Sequence, residues 1–201
     1  MRNSKGFIVP LLTFIFTFLK LLSPLTIISH LVDKFLHKCW KESHLLVEIY
    51  VMAWLLLLLF FIWLAFVDKL PLIIALIFII WRLMDISQSW FNIFVRIKPR
   101  VLSPVRSLIL AVINYFELVI IFGLLAFFNG NNFYPPIENI TQSLRHSIGI
   151  ITTMGSPYDP ATIITGFAYY IEIGFGLAFL VVIISRILSL YKESNSKGAE
   201  N

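Results

Sequence analysis

Ser143-Leu144-Arg145-His146-Ser147-Ile148-Gly149-Ile150-Ile151-Thr152-Thr153-Met154-Gly155-Ser156-Pro157-Tyr158-Asp159-Pro160 is the stretch on which the reading of the whole chain turns. Its first nine residues complete a segment, 139–151, that reads as a short helix of about 20 Å at 1.5 Å rise per residue. A hydrocarbon core of roughly 30 Å needs about 20 apolar residues. The segment is therefore too short to cross, yet long apolar runs flank it, 104–128 before and 161–188 after. A chain caught between two spans in this way must enter the membrane and return. Asn129-Gly130-Asn131-Asn132-Phe133-Tyr134-Pro135-Pro136 supplies the turn-rich lead-in.

Two further apolar runs lie upstream. Residues 45–67 carry Glu48 as their only charge, near one end, and read as the cleanest transmembrane helix. Asp68-Lys69-Leu70-Pro71 makes a tight turn, and the apolar pattern resumes to about Phe94. It is interrupted by Arg82 and Asp85, which at i and i+3 meet on one helix face, and a paired charge is a tolerable way through lipid. Residues 7–32 are apolar but carry a polar stripe, Thr13, Thr17 and Lys20, with Pro24 beyond. That pattern suits a helix lying in the interface. The sequence thus predicts an all-α membrane protein with four transmembrane helices, a re-entrant helix and loop between the last two, and an N-terminal interfacial helix. Its segments are a cytoplasmic or interfacial 1–44, a two-helix hairpin 45–100, a third domain 101–190, and a cytoplasmic tail 191–201.

Composition bounds the function classes. Of the 201 residues, 59% are hydrophobic and 13% charged, where soluble domains run at about 25% charged. One cysteine, Cys39, excludes an internal disulfide, and the four histidines are scattered rather than set at metal-ligand spacings. The net charge of +5 reads as topology rather than nucleic-acid binding, because the basic residues flank apolar spans. Lys and Arg number six in residues 1–44 and five in 82–106, against one in 68–71 and one in 129–160. The positive-inside rule then predicts a multi-pass protein with both termini cytoplasmic, and the plasma (cell inner) membrane is its expected location. Arg96, Lys98 and Arg100 are expected at anionic lipid headgroups.

The quoted stretch resembles the pore region of potassium-channel-like proteins, in which a short pore helix ends in Thr-Thr-(Val/Ile)-Gly-Tyr-Gly-Asp. Ser143, Leu144, Ser147, Ile148, Thr152, Thr153 and Gly155 fall in register, with Met154 at the Val/Ile position. The last run, with Ile173-Gly174-Phe175-Gly176 and the ending Ser185-Arg186-Ile187-Leu188, is similar to that family's inner helix. The resemblance implies a homotetrameric cation channel in which stacked rings of oxygens replace an ion's hydration shell. It implies filter ion-binding residues Thr152, Thr153, Met154, Gly155 and Ser156, and a gating hinge at Gly174 and Gly176. Asp159 would form a cation-attracting ring at the outer mouth.

Where the family continues Tyr-Gly-Asp, this chain has Ser156-Pro157-Tyr158-Asp159, so a proline locked near φ −65° stands at the second glycine. This resembles the shortened filter of cyclic-nucleotide-gated channels. It implies weak discrimination between the permeant ions, potassium and sodium. No cofactor and no metal beyond these ions is expected.

Glu117 and Glu172 fall about ten residues from the outer ends of their helices, about 15 Å deep, and intramembrane carboxylates are functional candidates. Arg145 is expected to pair with one of them and brace the filter from behind. Rival readings are a non-conducting or regulatory subunit with a degraded filter, and a secondary transporter. The latter would show interrupted helices in both halves, which residues before 100 lack. An enzyme is not expected, since His146 and Ser147 are adjacent and point to different helix faces.

Overall fold

The computed structural model describes residues 45–95 and 104–198. The expected interfacial helix over 7–32 and the headgroup contacts of Arg96, Lys98 and Arg100 lie outside those residues. Five helices occur among the described residues: α1 (Leu45–Phe66), α2 (Leu72–Val95), α3 (Pro104–Phe128), α4 (Ile140–Ile151) and α5 (Ile163–Gly198). A 3-10 turn (Gly130–Asn132) and two short strands, β1 (Phe133–Tyr134) and β2 (Asp159–Pro160), flank α4. The helices over Glu48–Phe66, Leu108–Phe128 and Ile163–Ser185 are long and apolar enough to cross a membrane.

The described residues divide into two compact units, 45–50 with 77–95, and 51–76 with 104–198. In the first, the Arg82 guanidinium meets the Asp85 carboxylate at 2.6 Å, both nearly fully buried, as the i, i+3 spacing predicts. The Tyr50 hydroxyl from α1 donates to the same Asp85 oxygen at 3.0 Å. The Arg82 guanidinium also lies 5.4 Å from the centre of the Tyr50 ring. The pair predicted on one helix therefore also latches α2 to α1 through Tyr50.

In the second unit, α1 buries Val51, Trp54, Leu58, Phe61 and Ala65, a stripe at spacings of three and four. Its opposite face exposes Leu56, Leu59, Phe60, Trp63 and Phe66, apolar surface that water would not tolerate at this density. The helix ends because Asp68 takes a left-handed φ of 53°. Lys69 N–H then reaches back to Leu64 C=O at 3.0 Å and Asp68 N–H to Ala65 C=O at 3.3 Å, the two bonds of a Schellman cap. Pro71 C=O accepts from Ala75 N–H and opens α2.

The rest of this unit is built on α3. Half of its membrane-crossing window is buried, with Leu118, Ile121 and Leu124 wholly so, whereas the window of α5 is 22% buried. α3 is thus the central helix, and α4 and α5 pack against it and each other. Phe122 meets Phe175, and Tyr115 meets Phe179, at ring centroid separations of 5.8 and 5.9 Å. α4 starts at Asn139, whose side chain accepts from Gln142 N–H, while the Gln142 side chain accepts from Glu138 N–H. The first bond satisfies one of the donors that the helix start leaves open, and the second ties down the N–H of the residue before the cap.

α5 departs from the expected length. It continues without a break to Gly198, past the end at Leu188 that the apolar pattern suggests, so most of the polar tail is helical.

Candidate functional site

The loop before α4 and the loop after it are tied together. β1 and β2 pair antiparallel with Phe133 opposite Pro160 and Tyr134 opposite Asp159. Ala161 N–H donates to Asn132 C=O at 2.9 Å, and the Thr165 hydroxyl to the same oxygen at 3.2 Å. Phe133, Ile137, Ala126 and Tyr158 close over the junction as one apolar cluster. Chain that leaves the end of α3 as α4 is thereby returned to the same end before α5 begins.

Three contacts anchor α4 and its following turn from behind. The Ser147 hydroxyl donates to Glu172 Oε1 on α5 at 2.6 Å, both residues buried. The Tyr115 hydroxyl on α3 donates to Ile151 C=O at 3.2 Å, capping one of the carbonyls that a helix end leaves open. His146 Nδ1 and the Ser156 hydroxyl lie 2.6 Å apart, and the same hydroxyl accepts from Tyr158 N–H at 3.1 Å. The His146 ring is buried and packs against the rings of Phe133, Tyr158 and Tyr169.

The turn itself projects. Thr152 N–H and hydroxyl both donate to Ile148 C=O, at 3.0 and 2.5 Å, ending the helix. Thr153 and Gly155 both take left-handed angles, φ 60° and 85°. Gly155 N–H then reaches Gly149 C=O at 3.0 Å, closing the turn onto the helix. Met154 stands at the tip, 84% exposed. A side chain at Gly149 is excluded, because a Cβ there would lie 2.1 Å from Gly155 C=O.

The remaining residues singled out from the sequence sort as follows. Glu117 and Glu172 are both buried, at 0% and 3% exposure. Arg145 is exposed on α4, so within one chain it pairs with neither, and Ser147 takes the place at Glu172 expected for it. Asp159 is exposed on β2. Gly174 faces open space, whereas a Cβ on Gly176 would lie 2.6 Å from Ile151 C=O, so Gly176 is a close-approach glycine where α5 crosses the end of α4. The sequence reading passed over Tyr115, His146 and Ser147 as anchors. Their positions on apolar helices carry a signal only once the facing element is known.

A cavity of about 180 Å³ lies behind the turn, between α3, α4 and α5, and both His146 and Glu172 line it. No family model, curated protein or solved structure matches the chain.

Proposed function

We propose that the chain is the pore-forming subunit of a tetrameric cation channel, potassium-channel-like and weakly selective among monovalent cations. The observation that carries the reading is the hairpin just described. A 12-residue helix stands between two apolar helices of membrane-crossing length, its two loops meet in the β1–β2 pair, and it ends in a Thr-Thr-Met-Gly-Ser turn whose Thr153, Met154 and Gly155 are exposed. In this reading α2, 24 residues or about 36 Å long, is the fourth span. α4 is then the re-entrant pore helix, and both termini face the cytoplasm of the plasma membrane. Four copies of Thr152, Thr153, Met154, Gly155 and Ser156 surround the ion path, with Asp159 at the outer mouth. Irregular backbone at that depth is tolerable because it lines water.

One observation favours the rival, a non-conducting subunit with a degraded filter. The Gly155 to Gly149 hydrogen bond folds the turn back on the helix instead of extending it. Recording the purified protein in planar bilayers, with potassium on one side and sodium on the other, separates the two. The channel reading gives discrete currents reversing close to zero, since Pro157 removes the backbone freedom that upper carbonyl rings need. Strong potassium preference would overturn the filter reading, and silence from correctly assembled tetramers would favour the rival.

A further inference from the structure

We infer that the cavity behind α4 is a binding site for a small aromatic amine, an amphiphile with one ring and one ammonium group. At about 180 Å³ it exceeds the space of about 150 Å³ that holds a benzene molecule in an engineered protein cavity. Its walls combine apolar surface with a few buried polar groups, the usual make-up of a small-molecule site. Phe122, Phe133 and Tyr169 line it with aromatic rings, and Ala168 leaves the volume open where a larger residue would fill it. Glu172 supplies a carboxylate at 3% exposure, reaching the cavity about 13 Å down α5 from its start at Ile163. Ser147 engages its Oε1, and that hydroxyl is the one hydrogen bond the carboxylate makes to a described residue.

The chemistry of the occupant follows from this lining. A buried carboxylate in an apolar chamber is expensive, and an ammonium placed beside it supplies both a counter-charge and hydrogen-bond donors. Aromatic walls favour the same cation through their ring faces, and they favour a ring on its apolar side. A neutral ring of equal size would gain only the apolar part. An anion would meet the carboxylate.

The site does not depend on conduction, so its test uses binding alone. Protein reconstituted in lipid nanodiscs would be titrated with 4-fluorobenzylamine, and the fluorine resonance followed. Empty nanodiscs serve as the partition control. Saturable binding is expected in wild type, at least tenfold weaker in Glu172→Gln and lost in Ala168→Phe, which fills the cavity while keeping the carboxylate. 4-Fluorobenzyl alcohol should bind at least tenfold more weakly than the amine. Equal affinity of amine and alcohol, or indistinguishable titrations of wild type and Glu172→Gln, would overturn the proposal. Undiminished amine binding by Ala168→Phe, in variants that elute and melt as wild type does, would do the same. Should Glu172→Gln fail to fold, the wild-type comparison of amine with alcohol decides alone.

Discussion

At the scale of single residues, two glycines two positions apart on α5 have opposite environments. A methyl group at Gly176 would be driven against the Ile151 carbonyl, which is backbone and already holds the Tyr115 hydroxyl. Gly176→Ala should therefore cost about 1–3 kcal/mol, the usual penalty of overpacking. Gly174→Ala meets nothing within 4 Å and should be neutral or slightly stabilising through helix propensity. Thermal unfolding of the two variants in one detergent decides, and equal shifts would contradict the close approach.

The same scale shows what was legible in advance. Arg82 and Asp85 could be paired from spacing alone because both sit on one helix, where i and i+3 fix the geometry. The Ser147–Glu172 bond joins residues 25 apart on different helices, and nothing local distinguishes that serine from any other. Depth placed Arg145 at the level of the glutamates, but depth carries no azimuth, and Arg145 lies on the exposed face of α4.

Among the elements, the α1–α2 hairpin is held by its latch. Removing one partner of a buried ion pair strands the other, typically at 3–5 kcal/mol, whereas replacing both with apolar residues of similar volume is often neutral. Arg82→Met alone should lower the melting temperature, and Arg82→Met with Asp85→Leu should recover most of the loss, less what Tyr50 forfeits as a donor to Asp85. A double variant no better than the single would show that the pair does more than satisfy itself. The end of α1 and the start of α3 were readable because breakers mark them: the Asp68 to Pro71 turn and Pro104. The far end of α5 was not, since its apolar pattern fades while no proline or glycine breaks the chain between Gly176 and Gly198.

For the whole molecule, the channel reading requires a closed four-fold ring, because one exposed turn supplies a quarter of any coordination shell. Native mass measurement in detergent should give a species of four times 23.2 kDa. A monomer or dimer as the largest stable form would remove the basis for a central pore. Arg145 belongs to this scale as well: an exposed guanidinium on a helix enclosed by lipid would find its counter-charge on a neighbouring copy, and Arg145→Met should then weaken the ring.

α5 carries one more consequence. Its 36 residues reach about 54 Å, well beyond the roughly 30 Å of hydrocarbon that Ile163–Ser185 can fill. The surplus is continuous with the stretch on which Gly176 meets the end of α4, in one unbroken helix. Such a helix would work as a drive shaft. Torque or tension applied to its far end would arrive beneath the Ile151 carbonyl without crossing a break in the helix, so whatever gripped that end would also grip the turn at Thr152–Ser156.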